Sequence, residues 1–285
     1  MKSKAQLVDQ DRNKRTSSLM PFRQAAKAFS ALDIAMPIGH VKRETLVRDA
    51  QWEMTVEGPE EGRSDWFLLV KEDRDTIGWL SREDLDSALM DSVVPVTPIR
   101  IAMTVPARTP LVNMVGLFEY SYFFLLLTGN QITHVVTFQD CDRLPMKTCL
   151  FALLMELETA MTETLQDTGV SDENLLARLP EARQKKAREL CQLKYPKREP
   201  RGRELLLCTT IIDKVTMITA DHGLAKKLSD VAAGDVGRIL KRAERLRNQI
   251  AHGDSIFRVT ETPVQLHEMV VQLEQVISTL SSPVE

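Results

Sequence analysis

The spacing of apolar and polar positions changes once along the chain, near residue 145. Before that point, short apolar runs alternate with polar turns, as in residues 66–81 and 122–137, which is typical of paired β-strands. After it, apolar residues recur every three or four positions, which is the spacing of one helix face. The first such series is Leu150, Leu153, Leu154, Leu157, Met161 and Leu165. We therefore predict an α+β N-terminal part followed by an all-α helical bundle.

The N-terminal part contains an internal repeat. Residues 66–85 give an apolar strand, a polar turn, a second strand and a helix start, and residues 122–140 repeat this order at an offset of 56 residues. Helix-forming stretches, at 44–54 and 110–119, precede the two hairpins. We predict two β-α-β-β-α repeats, at about 31–92 and 93–145, after a polar segment over residues 1–30.

Both repeats carry a hydroxyl residue with an aspartate three positions later, where the second strand gives way to a helix. Ser81 aligns with Thr137, and Asp84 aligns with Asp140. Such residues commonly cap the exposed amides of a helix start, and for a single copy capping is the commoner role. Two copies at equal positions leave ligand binding open as the alternative.

The duplicated unit resembles a tandem pair of cystathionine-β-synthase-type (CBS) domains, which fold together as a Bateman module. The resemblance covers about residues 32–144 and depends on residues 77–84 and 132–140, where a small residue, a short apolar strand, Ser or Thr, and Asp follow one another. It implies an adenine nucleotide (ATP, ADP or AMP) as regulatory ligand. In the second copy His134 replaces Gly78 of the first, so that cleft is expected to be narrower or altered.

The resemblance also assigns roles to the two pairs of side chains. Asp84 and Asp140 would accept hydrogen bonds from ribose hydroxyls, and Ser81 and Thr137 would face phosphate. The chemistry agrees, because a carboxylate suits the donors of a diol, and a hydroxyl with helix-start amides suits phosphate oxygens.

The predicted helical domain spans residues 146–285, with further helices near 171–194, 203–217, 235–250 and 263–280 and a loop at 195–202. The helix at 235–250 has a core stripe of Ala243, Leu246 and Ile250 and ends in a distinct motif. Arg247 and Asn248 are followed by His252 and Gly253. A His beside a Gly is often a device that ends a helix, and this structural role is kept as the alternative.

This motif, in the penultimate helix of a five-helix bundle, resembles the HEPN superfamily, many of whose members are metal-independent ribonucleases with an Arg-x4-6-His motif. The resemblance covers about residues 150–280, and it also includes the polar residue Asn248. It implies an endoribonuclease that needs no cofactor for catalysis. In this family the motifs of two subunits commonly meet across a dimer interface.

RNA cleavage without a metal ion requires the same side chains. A base must take the proton of the 2′-hydroxyl, which suits His252, and a guanidinium must stabilise the charged phosphorane, which suits Arg247. The products would be a 2′,3′-cyclic phosphate and a 5′-hydroxyl. At about 100° per residue the two positions are offset by roughly 140° on a helix, so a homodimer with a shared site is predicted.

Charge supports RNA as a partner through a local patch. The net charge is −3, but Lys241, Arg242 and Arg245 lead into the motif and are our candidates for RNA binding. A basic stretch over 183–203 adds positive charge, although such runs are usually solvated faces.

Other features exclude several classes. The four cysteines have no CxxC spacing, so neither a zinc site nor a disulfide framework is expected, and no phosphate-binding loop or GxSxG motif occurs. The longest apolar run is about eight residues, far below the roughly 20 that span a membrane, and the polar start does not resemble a signal peptide. We predict a cytoplasmic protein. The alternative function is a non-catalytic nucleotide-sensing dimer whose helical domain docks a partner protein or RNA.

Overall fold

The computed structural model describes residues 24, 28–57, 59, 62, 64–196, 204–231 and 236–282. Most of the predicted polar segment at 1–30 and most of the predicted loop at 195–202 lie outside the described residues. The chain divides into two compact units, with a boundary between Met146 and Lys147. Small sheets occur in the N-terminal unit and helices follow them, which confirms the predicted order of an α+β part and an all-α part.

The N-terminal unit contains two copies of one β-α-β-β-α arrangement, as predicted. The first copy consists of β2 (Gly39–Lys42), α1 (Val47–Trp52), β3 (Phe67–Glu72), β4 (Asp75–Ser81) and α2 (Arg82–Ser87), after a short β1 (Met36–Pro37). The second consists of β5 (Thr104–Pro106), α3 (Leu111–Leu117), β6 (Phe123–Thr128), β7 (Gln131–Thr137) and a 3-10 helix (Phe138–Asp142). The second copy therefore closes with a 3-10 helix where the first has an α-helix.

The two hairpins agree in detail. Strands β3 and β6 have the same sequence of buried and exposed positions, and each has a bulge at the same place, after Val70 and after Leu126. Their turns both use a left-handed backbone, with φ 52° at Asp73 and φ 60° at Gly129. The repeat read from the sequence is therefore a repeat of backbone conformation.

The two sheets exchange their outer partners, which the sequence pattern did not predict. The strand orders are β2-β3-β4 and β1-β7-β6-β5. Strand β1, which precedes the first copy, pairs with β7 of the second, and Thr97, which precedes the second copy, pairs with Trp79 of β4 in the first. Each repeat therefore completes the sheet of the other.

Strand β3 is apolar on both faces because it has neighbours on both faces. Leu68 and Val70 pack in a cluster with α1 and α2, whereas Leu69 packs with Leu125 and Val135 of the other sheet. Phe67 stacks on Phe123 with ring centroids 4.6 Å apart. Burial on both sides explains why the strand is a continuous apolar run rather than an alternating one.

Gly78 is the point where the exchanged segment passes closest to β4. A Cβ atom at this position would lie 2.4 Å from Val96 Cγ1 and 2.7 Å from the carbonyl oxygen of Thr97. Trp79 and Thr97 exchange two backbone hydrogen bonds of 2.9 Å beside it. The sequence reasoning took Gly78 as part of a ligand motif, and the structure gives it a packing role.

We predict that Gly78→Ala destabilises the N-terminal unit by about 1–3 kcal/mol, because the crossing segment must move away from the new methyl group. All three tryptophans lie in this unit, so urea unfolding followed by tryptophan fluorescence reports on it alone. The control is Asp86→Ala at an exposed position of the same unit, which should leave the urea midpoint unchanged. An unchanged urea midpoint for Gly78→Ala would contradict the packing role.

The C-terminal part is helical. Its helices are α4 (Leu144–Asp167), α5 (Asp172–Leu176), α6 (Glu181–Lys194), α7 (Ile211–Thr219), α8 (His222–Val231), α9 (Val236–Ala251) and α10 (Pro263–Ser281). All six apolar residues of the predicted series in α4 are buried. Within the described residues, no helix is long and apolar enough to cross a membrane.

Two sequence predictions in this part need correction, and one helix was missed. The predicted stretch at 171–194 holds two helices, because α6 begins anew after Pro180. The stretch at 203–217 becomes an α-helix only after Thr210, whose side chain and that of Asp213 form a capping box. Helix α8 was not predicted.

Candidate functional site

The Arg247–His252 motif occupies the end of α9. Ala243 and Leu246 are buried and Ile250 is half-buried, as the predicted core stripe requires. The amide of His252, the residue after the last one of α9, donates to the carbonyl of Asn248 at 3.0 Å. Gly253 follows with φ 75°. The helix thus ends at Ala251, and His252, the next residue, is exposed.

Backbone bonds past this point explain why the helix stops there. The amide of Gly253 donates to the carbonyl of Ile250 at 3.1 Å, and the amide of Asp254 donates to that of Gln249 at 2.9 Å. This pair of bonds around a left-handed glycine is the Schellman motif. The motif uses the backbone of His252 and leaves its imidazole outside the bonds that end the helix.

The exposed side of α9 carries a basic stripe, which we define as Arg238, Lys241 and Arg245. All three residues are exposed. At about 100° per residue they fall within roughly 80° of one another on the helix, together with Asn248 and His252. The stripe therefore runs along the helix surface to the imidazole.

Arg242, the third residue predicted to bind RNA, serves a structural purpose. Its Nε and Nη2 atoms donate to the carbonyl oxygen of Val259, at 3.4 and 3.2 Å. This contact connects α9 to the segment that precedes α10. Of the predicted RNA-binding residues, Lys241 and Arg245 thus point along the exposed stripe, and Arg242 is engaged within the bundle.

Arg247 lies on another side of α9, where it lines a cavity of about 700 Å³ together with Asn248 and Glu244. Its Nη1 donates to Asn248 Oδ1 at 3.4 Å. His252 does not line this cavity. Within one chain, Arg247 and Asn248 both line the cavity, and His252 lies around the helix from Arg247, in agreement with the offset of roughly 140°.

The wall of the cavity facing α9 holds side chains that the sequence reasoning did not single out. Glu158 of α4 lines it, and the ammonium of the buried Lys214 donates to Glu158 Oε1 at 2.9 Å and to the carbonyl of Thr209 at 3.0 Å. The two partners are 56 residues apart along the chain, so no local pattern reveals their pairing. This ion pair supports the side of the bundle where Arg247 lies.

Arg183 also lines the cavity and is held by a short network. Its Nε donates to Asp213 Oδ1 at 2.8 Å and its Nη2 donates to Thr210 Oγ1 at 2.7 Å. Burial works to raise the pKa of Asp213, but the hydrogen bonds from Arg183 and Thr210 outweigh it and hold the pKa below its usual value. Arg183 was counted with the basic stretch available to RNA, and the structure uses it to anchor α6 to α7.

Ser81 and Asp84, predicted to contact a nucleotide, form a complete capping box at the start of α2. Both the amide and the hydroxyl of Ser81 donate to Asp84 Oδ2 at 2.7 Å, and the amide of Asp84 donates to Ser81 Oγ at 3.1 Å. Ser81 and Asp84 therefore cap the start of α2, which is the structural alternative given for this pair. Both residues are only partly buried.

Thr137 and Asp140 repeat this arrangement in a more enclosed setting. The amide and the hydroxyl of Thr137 donate to Asp140 Oδ2 at 2.7 and 2.8 Å, and Arg143 Nη2 lies 3.0 Å from Asp140 Oδ1. Asp140 is 9% exposed, and this burial raises its pKa in spite of the Thr137 and Arg143 contacts. Both carboxylate oxygens are engaged within the chain, so the second copy offers less to a ribose than the first.

The same spacing occurs twice outside the aligned repeats, which bears on its meaning. Ser30 bonds to Asp33 through its amide and hydroxyl at 2.7 and 2.8 Å, and Thr210 bonds to Asp213 at 2.9 and 2.8 Å. The Thr210 copy lies in the helical unit, where no nucleotide was predicted. A hydroxyl residue with Asp three positions later is therefore a general helix-start device in this chain.

The second copy differs from the first at the position of Gly78. His134 faces Pro37 of β1 in the strand register, and its Nδ1 lies 2.8 Å from Thr133 Oγ1. Burial lowers the pKa of His134 below its usual value, which favours the neutral imidazole.

Comparison with known proteins adds no assignment to this geometry. No protein-family model matches the chain, and no curated protein matches it in sequence. Among the described residues, no group of three or more His, Cys, Asp or Glu side chains is arranged to hold a metal ion. The residues of the site are therefore the basis for its chemistry.

Proposed function

We propose that the chain is a metal-independent endoribonuclease of the HEPN type, regulated by an adenine nucleotide bound to an N-terminal CBS pair. The observation that carries the proposal is the exposed His252 at the end of the basic stripe of α9, with Asn248 one turn before it. A phosphate backbone lying along Arg238, Lys241 and Arg245 would pass over this imidazole.

The reaction follows from the two side chains of the motif. The imidazole of His252 takes the proton of the 2′-hydroxyl, and the 2′-oxygen attacks the adjacent phosphorus. The bond from phosphorus to the 5′-oxygen then breaks, and that oxygen takes a proton from water and leaves as a hydroxyl, while the imidazolium of His252 returns its proton to water. The guanidinium of Arg247 stabilises the extra negative charge of the phosphorane, because it presents a planar fork of donors to phosphate oxygens.

Arg247 and His252 would act on one phosphate when two copies of the chain combine. Arg247 lines the cavity, and His252 lies around the helix from it. The cavity is bordered by the exposed side chains of Leu193 and Leu207, at 78% and 52% exposure, which form an apolar rim that a second copy would cover. The proposed dimer places the Arg247 of one copy opposite the His252 of the other.

Complementation between inactive variants tests the shared site. We predict that Arg247→Ala and His252→Ala are each inactive alone, and that unfolding and refolding them together restores about a quarter of wild-type cleavage. Half of the dimers would then be mixed, and each would hold one complete site of two. Cleavage is measured on labelled RNA in excess chelator, with ATP, ADP or AMP present or absent.

Three results would decide against parts of the proposal. If the mixture stays as inactive as its components while wild type cuts, the shared site is wrong. If wild type forms a monomer of about 32.2 kDa by light scattering and still cuts, the dimer is unnecessary. If no nucleotide changes the cleavage rate, the active and inactive conformations bind the nucleotide equally well. The proposed regulation by nucleotide is then wrong.

A non-catalytic docking function is the second candidate, and one observation favours it. Within one chain Arg247 lines the cavity and His252 does not, so a single copy does not bring the guanidinium and the imidazole to one phosphate. The motif residues would then serve structure alone. Wild-type protein that cuts no RNA in chelator under any nucleotide, yet binds RNA through the basic stripe, would establish this function instead.

A further inference from the structure

A cleft of about 690 Å³ opens between the turn of β3–β4 and the turn of β6–β7 in the N-terminal unit. It lies within the range of about 300–1,000 Å³ that small-molecule sites occupy. Ser81, Asp84, Thr137 and Asp140 do not line it. Strand β4 begins at Asp75 in the cleft and ends at Ser81, so the capping boxes lie about 20 Å away, at the other end of the sheet.

Equivalent positions of the two repeats border this cleft. At the offset of 56 residues, Lys71 corresponds to Leu127 and Arg74 to Asn130. Asp75 and Thr76 likewise correspond to Gln131 and Ile132, and all eight residues line the cleft. The duplicated hairpins thus meet around one shared space.

The two sides differ in chemistry although they are equivalent in position. The first hairpin contributes two cations, Lys71 and Arg74, and the second contributes two carboxamides, Asn130 and Gln131. A turn alone demands only suitable backbone conformations, which Asp73 and Gly129 supply. The division into a cationic side and an amide side is therefore not explained by the turns.

Apolar surface completes the amide side. Leu127, Ile132 and Ile99 are half-buried and line the cleft, and Ile101 is exposed at its edge. Flat apolar groups stack well on such side chains, while carboxamides bind the paired donors and acceptors on the edge of a nucleobase. Lysine and arginine on the opposite side suit a phosphate group.

We infer that this cleft binds a nucleoside monophosphate, with its phosphate on Lys71 and Arg74 and its base between Ile132 and the carboxamides of Asn130 and Gln131. The inference rests on the proposed function only for the role of the ligand, which is to regulate the helical domain. It moves the ligand from the capping boxes to the hairpin turns. Because both repeats line this cleft, ligand binding would also depend on the relative positions of the two sheets.

Two charged residues of the cleft, Arg74 and Asp75, should have opposite effects on the affinity for a monophosphate. Arg74→Gln removes an attractive charge, and we expect it to weaken binding about tenfold, as loss of one charge-assisted hydrogen bond does. Asp75→Asn removes a repulsive carboxylate from the same cleft, and we expect it to strengthen binding a few-fold, because screening limits an exposed charge. A cationic ligand would reverse both effects.

Calorimetry on the full chain tests the inference with AMP, GMP, CMP and UMP, and with adenosine and inorganic phosphate as fragments. We expect at least one monophosphate to bind, more tightly than either fragment. Gln131→Trp, which places a large side chain at an exposed strand position, should abolish binding. Arg108→Gln, an equal change of charge at an exposed position outside the cleft lining, should leave binding unchanged.

The outcomes separate this inference from the proposed function. Binding that survives Arg74→Gln and Gln131→Trp but is lost in Asp84→Ala overturns the inference and supports nucleotide binding at the capping boxes. Inorganic phosphate that binds as tightly as every monophosphate also overturns it, since the base would then contribute nothing. Failure of all four nucleotides to bind overturns it as well, while leaving the ribonuclease test untouched.

Discussion

Replacing His252 by Ala lowers the rate of RNA cleavage by about 10² or more, because a positioned general base typically contributes 10² to 10⁴. The fold should be unaffected, since the helix end is maintained by the backbone bonds of Gly253 and Asp254 and the imidazole belongs to an exposed residue. The rate is measured under single-turnover conditions in chelator. Arg247→Ala should cause similar damage, and Arg247→Lys should recover only part of it, because an ammonium lacks the planar fork.

The matched control for this prediction is His222→Ala, which removes another exposed histidine in the helical unit. It should cleave as wild type does. Circular dichroism of both variants would show whether helix content is retained. If His252→Ala cleaves as fast as wild type, we would abandon the nuclease and adopt the docking function.

Replacing Lys214 by Ala destabilises the helical unit by about 3–5 kcal/mol, the range for removing one partner of a buried ion pair. The side chain of Lys214 is 2% exposed and that of Glu158 is 24% exposed, so little water can replace the lost ammonium. The carbonyl of Thr209 would also lose its donor. Urea unfolding followed by helical circular dichroism measures the change, because the helical unit has no tryptophan.

A double replacement separates the charge from the space it fills. Lys214→Met together with Glu158→Leu should recover most of the loss, since apolar residues of similar size often replace a buried pair without cost. The control is Lys185→Ala, whose side chain is 79% exposed and whose ammonium lies 4.0 Å from Glu189 Oε1, and it should leave the urea midpoint unchanged. Equal unfolding of Lys214→Ala and wild type would show that the pair contributes no stability.

Local patterns in the sequence predicted much of the fold. The helical spacing from Leu150 to Leu165 predicted α4. The predicted helix at 263–280 agrees closely with α10 at Pro263–Ser281. Helix α8 escaped prediction although Leu224, Leu228 and Val231 stand at helical spacing. The segment has only ten residues and holds Gly223 in its first turn, where glycine disfavours a helix.

The candidate site was predictable only in part. The sequence identified Arg247, Asn248 and His252 by their order, and their places on one helix follow from its period. That Arg247 faces a cavity while His252 lies exposed depends on how α4, α6 and α7 pack around α9. Arg242 looked like its neighbours in sequence, but in the structure it is half-buried and contacts Val259, whereas Lys241 is exposed.

By itself, the sequence determined the strand and helix periods and the capping pairs, because each of these depends on residues within a few positions of one another. It also determined the duplication, because the same local pattern recurs at an offset of 56 residues. Tertiary structure alone decided the exchange of β1 and Thr97 between the sheets, the pairing of Lys214 with Glu158, and the meeting of the two hairpin turns around one cleft. These contacts join residues far apart along the chain. Their free energy arises from burial and charge pairing that no local spacing records.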